Sequence, residues 1–451
     1  MNAKQHAEKI IAELRNAGQQ AFLVGGCVRD LLLGREPADF DICTDATPEQ
    51  VMAIFPETYA VGAQFGVVLV PQPEKETTGK SRESVVEVAT FRSDIGYSDG
   101  RHPDEVRFTT DPKQDVLRRD FTINGLLLDP VTNRVVDFVN GRKDLESKTI
   151  RTIGEPEQRF AEDKLRMLRA VRFASRFEYA IEPRTFQAIR QLAAQIHGVS
   201  RERVRDELTK ILTEGHARSA FLLLDQAGLL HELLPEIVAM KGVAQPPGFH
   251  PEGDVFVHTL LLLQYLPHPC SPTLAWGALL HDVGKPPTFR VAPDRIRFDE
   301  HVEIGVKMAE EICRRMRFSN DDTRQILALV DNHMRFADVQ RMKDSTFKKF
   351  VRMPHFNEHL ELHRIDCLAS HGDLTLYQFT RDKSAAMPAS VVRPDPLVRG
   401  DDLIAAGYTP GPQFKQILSA VEDGQLEGRF ENKQQAMDFV AQEFPCDPAR
   451  N

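Results

Sequence analysis

Every β-rich run in this chain falls between about residues 20 and 140, and nearly everything after that is patterned for helices. AFLVGG (21–26), FGVVLV (65–70), SVVEVATF (84–91), INGLLLD (123–129) and RVVDFV (134–139) are short and punctuated by turn signals such as Asp129-Pro130 and Asn140-Gly141-Arg142. From Glu155 onward, EPEQRFAEDKLRMLRAVRFASRF and RVRDELTKILTEGHARSAFLLLDQAGLL carry apolar residues at three- and four-residue spacing, the period of an amphipathic helix. Residues 241–254 (KGVAQPPGFHPEGD) form a Pro/Gly-rich connector, helical periodicity resumes from Val255 to about Leu374, and a second connector (385–400) precedes a short helical tail. The expectation is an α+β fold: a small mixed-sheet head over 1–150, a helical neck over 151–240, a further helical domain over 241–376, and a linker with helical tail over 377–451.

A chain of 451 residues exceeds what one core supports, in keeping with several domains. Hydrophobic residues at 41% and charged residues at 27% exclude a disordered chain and a fibre. The six cysteines are scattered with no CxxC pair, so neither a zinc ribbon nor a disulfide framework is expected. Apolar stretches such as Ala220–Leu224 and Leu260–Leu263 are far too short to span a bilayer. The opening MNAKQHAEKIIAELRNAG reads as an amphipathic helix without signal-peptide character, which predicts a cytoplasmic protein and no membrane partner. Net charge is −9 and unevenly spread: residues 142–218 hold 17 Lys and Arg against 12 acids, residues 395–451 hold 5 against 10. By charge alone a polyanion meets the middle of the chain and avoids the tail.

The head carries the clearest chemistry. A strand ending in Gly25-Gly26 and leading into a helix offers bare N–H groups to a phosphate, with Arg29 three residues into that helix. Asp39-Phe40-Asp41 follows; in a strand, residues i and i+2 share a face, so the two carboxylates converge and repel unless a cation separates them. Such an oxygen-rich site suits Mg²⁺, which bridges substrate phosphates. Glu87, within VVEVATF, is a candidate third acid. The polar stretch FRSDIGYSDGRHPDEVRF (91–108), holding Arg92, Arg101 and Arg107, reads as a long loop beside the site. Arg118-Arg119-Asp120 offers Arg119 to a triphosphate and Asp120 to a ribose hydroxyl.

Taken in order, GGCVRDLLLG, DFDICT, the polar loop, RRDFTIN and RFAEDKLRMLRAVRFA resemble the motifs of the class II tRNA nucleotidyltransferases, the CCA-, CC- and A-adding enzymes with the related bacterial poly(A) polymerases. The resemblance implies a DNA polymerase β-like head and template-independent nucleotide addition to the tRNA 3′ end from CTP and ATP. It implies two Mg²⁺ held by Asp39 and Asp41, with the triphosphate held by Gly25, Gly26, Arg29 and Arg119 and the ribose near Asp120. In Glu162-Asp163-Lys164-Leu165-Arg166, Asp163 and Arg166 would face the base edge from one helix face, and Arg169 and Arg172 would continue the stripe onto phosphates.

A second constellation lies in the helical body. His258, the His281-Asp282 dipeptide of WGALLHDVGKP and Asp366 resemble the ligand set of the HD phosphohydrolase superfamily, with His301 and His333 at places where that superfamily sometimes holds a second metal. The resemblance allows a divalent ion there (manganese, nickel or magnesium) and hydrolysis of phosphate esters at RNA ends; a scaffold that keeps the ligands without turnover is the other reading. No obligatory protein partner is evident. A phosphohydrolase without nucleotide transfer is the alternative from another class, and the intact head motifs argue against it. Within the family, the acidic tail argues against a poly(A) polymerase and the complete polar loop against a CC-adding enzyme. Full CCA addition and A-only addition share every motif quoted.

Overall fold

The computed structural model describes residues 2–60, 65–72, 85–96, 104–246 and 250–445. Contacts divide the chain into two units, Met1–Val238 and Ala239–Asn451.

In the first unit the strands are β1 (Ala21–Val24), β2 (Asp41–Thr44), β3 (Val67–Pro71), β4 (Val85–Thr90), β5 (Arg92–Ile95), β6 (Glu105–Phe108), β7 (Leu126–Asp129) and β8 (Arg134–Asp137). Six of them form one mixed sheet in the order β3-β4-β2-β1-β7-β8, in which only the β2–β4 pair is parallel. β5 and β6 make a separate antiparallel hairpin within the polar stretch 91–108; Arg101 lies outside the described residues. Alternation sets the faces: Val86, Val88 and Thr90 of β4 are buried, while Glu87 and Ala89 turn to the other side. Val24, Cys43, Phe91, Val116, Leu127 and Ile153 pack a core on this sheet.

The helical neck departs from the expected single helix. Residues 155–177 form two helices, Pro156–Glu162 and Arg166–Phe177, with Asp163 in extended conformation between them. Its Oδ1 accepts from the Leu165 N–H at 3.1 Å, a local side-chain bond that competes with helix continuation.

The second unit is almost wholly helical. Helix Pro272–Leu280 is apolar on all sides and buried from Leu274 to Leu280, and Trp276 stands edge-on to Phe318. Helices His301–Arg315, Asn320–Asn332 and Phe356–Ala369 belong to the same unit. Toward its end, Val398, Leu403, Tyr408, Ile417, Val421, Ala436 and Val440 form a small separate core. Among the described residues no helix is long and apolar enough to cross a membrane.

Candidate functional site

The head site is built where β1 ends. Gly25 has φ +79°, a conformation that needs glycine, and it turns the chain into the helix Gly26–Leu32. β2 begins at Asp41, so Asp39 lies just before the strand, and parallel register places Asp41 beside Glu87. Burial, then the charges of Glu87 and Asp39, push the Asp41 carboxyl up to about 7. A cavity of about 190 Å³ is lined by Asp41, Glu87, Arg92, Arg118 and Arg119 among others. The donor set is oxygen-only and like-charged, which fits Mg²⁺. Asp39, Asp41 and Glu87 are more widely spaced than the histidine clusters below, which are the groups of three ligand atoms within 4.8 Å of one another among the described residues.

Arg119 reaches this cavity. Its Nη1 lies 3.5 Å from where a Cβ on Gly25 would stand, so the guanidinium covers the turn. Its Nε and Nη2 donate to Asp115 Oδ2 at 3.3 and 2.9 Å. Asp120 is next: Oδ1 accepts from the Phe121 N–H and Asn124, and Oδ2 takes both Nε and Nη2 of Arg169 at 2.9 and 2.7 Å. Burial opposes ionisation, but Arg169 and Asn124 hold the Asp120 carboxyl down at about 2.

Three of the arginines expected at the nucleotide are engaged within the protein. Arg29 is 4% exposed and donates to Asp30 and Asn124 with its guanidinium over the Phe177 ring, so it braces the turn from within. Arg169 clamps Asp120, as above. Arg172 is 6% exposed and donates to Glu207 at 2.6 Å and Glu214 at 3.2 Å, an internal tie between helices Arg166–Phe177 and Arg201–Thr213. A three-residue spacing from Arg166 put Arg169 and Arg172 on one face; the acids that capture them, Asp120 and Glu207, lie too far away in sequence to be seen.

Asp163 and Arg166 straddle the helix break. Arg203 donates to Asp163 Oδ2 at 2.7 Å. Arg166 Nη1 donates to Glu162 and to the Arg159 carbonyl, and Nη2 donates to the Arg118 carbonyl. That leaves its Nε–H and one Nη2–H without a partner among the described residues.

In the second unit the sequence-predicted ligands converge. His258 Nε2 lies 3.3 Å from His281 Nε2 and 3.1 Å from Asp366 Oδ1, and His281 Nε2 lies 3.1 Å from Asp282 Oδ2. Asp282 Oδ1 lies 3.8 Å from His333 Nε2, and Asp282, His301 and His333 form a second cluster. Asp282 Oδ1 and the Nε2 atoms of His301 and His333 are buried without hydrogen-bond partners, the pattern expected of donors reserved for a cation. Glycine at 284 makes this possible: a Cβ there would meet the His301 carbonyl oxygen at 2.0 Å. A cavity of about 550 Å³ opens on the cluster, with Lys285, Arg295, Arg297 and His371 on its wall.

Sequence reading missed His250 and Glu252, which lie in the segment taken as a connector. Glu252 Oε1 accepts from His250 Nδ1 at 2.9 Å and His258 Nδ1 at 2.7 Å, an arrangement that turns the other nitrogen of His258 toward the cluster. The signal available was the short spacing His250-x-Glu252 just before His258. Lys285, quoted within HDVGKP, sits 2.7 Å from Asp282 Oδ2.

These two centres can be set against known proteins. Residues 21–151 match the family described as Poly A polymerase head domain, residues 178–240 that described as probable RNA and SrmB- binding site of polymerase A, and residues 258–369 the HD domain. A CCA-adding enzyme of Lactobacillus helveticus (strain DPC 4571) is 31% identical over 434 residues, 96% of this chain and 95% of that one. The chain belongs to the family of CCA-adding enzymes. The match to the CCA-adding enzyme of Geobacillus stearothermophilus reaches 44% over 225 residues, and in that match the chain spans about half the relative's length, 53%, with 50% of its own. The crystal structure of the Bacillus stearothermophilus CCA-adding enzyme in complex with CTP is similar with a TM-score of 0.73 at 29% identity, covering 98% of each chain. A Thermotoga maritima CCA-adding enzyme complexed with tRNA_CCA shares the fold, with a TM-score of 0.56 at 17% identity over 98% of this chain and 96% of that one. The α+β head and helical body are therefore the fold of CCA-adding enzymes.

Proposed function

We propose that the chain is a template-independent tRNA nucleotidyltransferase that completes the tRNA 3′ end as CCA, using CTP, ATP and Mg²⁺ in the cytoplasm. The observation that carries the reading is the grouping of Asp41, Glu87 and Arg119 around one cavity at the Gly25 turn, in a member of this family. The 3′-hydroxyl oxygen of the tRNA attacks the α-phosphorus, an O–P bond forms, the bond to the β-phosphate breaks, and pyrophosphate leaves. Asp39 and Asp41, with Glu87 adjacent, would hold magnesium, which when bound would supply positive charge at the transferring group and lower the pKa of the attacking hydroxyl. Arg119 presents its Nη1 donors to the triphosphate, and Asp120, fixed as a carboxylate by Arg169, accepts from the ribose.

Base choice follows from donors and acceptors. Asp163 only accepts and Arg166 only donates. Cytosine and adenine each pair an amino donor with a ring-nitrogen acceptor on the Watson–Crick edge, whereas guanine and uracil reverse the order. One Asp–Arg pair therefore takes C and A and refuses G and U. The tRNA is gripped by backbone and shape, since every tRNA must be served.

The test offers the protein, with Mg²⁺, CTP and ATP, three labelled tRNAs ending at the discriminator base, after the first C and after CC. Extension of all three to CCA is expected. Extension only of the tRNA ending in CC makes it an A-adding enzyme, and no extension defeats the reading.

The orphaned donors around Asp282 favour a second activity, metal-dependent hydrolysis of phosphate esters at RNA ends, with manganese, nickel or magnesium held by His258, His281, Asp282 and Asp366. Replacing His281 and Asp282 together by alanine is expected to remove phosphatase activity and leave nucleotide addition within about twofold. Phosphatase activity that survives the double replacement refutes it.

A further inference from the structure

Asp115 was not singled out by any sequence motif, and it is 1% exposed. It lies on the helix Pro112–Leu117, three and four residues before Arg118 and Arg119, a spacing that brings both side chains to one face. Its two oxygens are divided between them. Oδ1 accepts Nε and Nη2 of Arg118 at 2.9 and 2.6 Å, and Oδ2 accepts Nε and Nη2 of Arg119 at 3.3 and 2.9 Å. Each guanidinium is thus held by one edge, which leaves Nη1 as the presenting end. For Arg119 that end covers Gly25. For Arg118 it faces Asp94 of the β5–β6 hairpin at 3.8 Å, while the Arg118 carbonyl accepts from Arg166 Nη2 at 3.2 Å.

We propose that Asp115 is a positioning residue for nucleotide binding: one buried carboxylate aims Arg119 at the triphosphate and fixes Arg118 between the β5–β6 hairpin and the base-reading Arg166. The inference rests on the reading of Arg119 as a triphosphate ligand. A guanidinium on a five-bond side chain samples many rotamers in a half-open cavity, and a carboxylate holding both Nε and Nη2 removes that freedom before substrate arrives. An asparagine retains the shape of Asp115 but loses the charge and one acceptor oxygen, so Arg119 is released from its aimed position.

The test measures KM and kcat for CTP and ATP, and the Kd for tRNA, in the Mg²⁺-loaded full chain carrying Asp115→Asn, Arg119→Lys, or both. Asp115→Asn is expected to raise KM for both nucleotides by about tenfold or more, since misplacement of a clamping group carries costs of this order. Arg119→Lys is expected to act in the same direction, and the double variant to be no worse than the worse single one, because both changes break one unit. Asp115→Glu, which keeps the charge, restores part of the loss, and tRNA affinity stays unchanged. If Arg119→Lys leaves KM unmoved, the triphosphate reading of Arg119 fails, whatever Asp115 does. If Arg119→Lys raises KM while Asp115→Asn does not, or if the two effects multiply, the role given to Asp115 is overturned. Should Asp115→Asn not melt cooperatively, the same comparison is made with Asp115→Asn combined with Arg118→Gln, which removes a cation along with the carboxylate. An unchanged KM there overturns the proposal equally.

Discussion

Replacing Arg172 by methionine separates burial from substrate contact. Arg172 and Glu207 have side-chain exposures of 7% and 4% and lie 2.6 Å apart, so removing the arginine leaves a carboxylate without its counter-charge in a nearly water-free place. Breaking such a pair from one side costs about 3–5 kcal/mol. Methionine keeps the aliphatic bulk of the side chain but loses the guanidinium contact over the Phe173 ring along with the ion pair, so the loss is mainly electrostatic. For a unit the size of Met1–Val238, a loss of that size lowers the melting temperature by about 10 °C. Glu214 adds little, because it is 26% exposed and still faces Arg176 at 3.3 Å. Replacing Glu207 by methionine as well removes the stranded charge and recovers most of the loss, since a buried ion pair exchanged for apolar groups is near neutral in stability. The assay is thermal melting of the full chain, following its earliest transition, alongside KM for CTP and ATP. Melting is expected to fall in the single variant and recover in the double one, with KM within about twofold throughout. A tenfold rise in KM with unmoved melting would show Arg172 on the substrate and refute the argument.

Asp41→Ala is expected to abolish nucleotide incorporation while tRNA binding, followed by gel shift, survives; retained incorporation would remove the metal-site assignment. Glu252→Gln, which weakens the acceptor that orients His258, is expected to lower metal affinity of the second site by about 10- to 100-fold in a direct titration with Mn²⁺. An unchanged affinity would reduce Glu252 to a simple hydrogen-bond partner. The Asp120–Arg169 pair sets a pH dependence. With the carboxyl moved from 3.8 to about 2 in the folded state, it contributes about 2 kcal/mol that is complete above pH 4 and is lost as pH falls toward 2. The gap in urea midpoint between the protein and Asp120→Asn should therefore narrow between pH 6 and pH 3, and a constant gap would place the stabilisation elsewhere.

What was legible in the sequence was what short-range pattern encodes. β1, β4, β7 and β8 lie within the β-rich runs and β3 overruns its run only by Pro71, because a strand that buries one face shows it every second residue. Asp39 and Asp41 were visible as a pair, but the strand starts at Asp41, so the shared-face argument covers only one of them and Glu87 joins it through register. The break at Asp163 was not legible: neither Pro nor Gly marks it, and the break is held by a side-chain cap and by Arg203, forty residues away. His258, His281, Asp282 and Asp366 could be found because the dipeptide is a strong local mark. His250 and Glu252 were obscured, because the Pro and Gly around them signal a connector before the His-x-Glu spacing ahead of His258 stands out.

Regional charge counts are incomplete for a related reason. The tail window from 395 to 451 carries twice as many acids as bases, which argued against contact with a polyanion. Yet Lys349 lies 2.8 Å from Asp423 and Arg352 2.6 Å from Glu422, so two tail acids are matched by cations outside the window. In the neck, Arg169 is matched by Asp120, also outside the counted segment. Such pairs contribute little to stability at the surface, but they remove charge from the field a distant phosphate meets. A sequence window cuts through ion pairs that the fold closes. The charge that decides RNA contact is therefore what remains after pairing, and in the neck the buried tie of Arg172 to Glu207 and the Arg169–Asp120 clamp remove two arginines of the 166–172 stripe from that count.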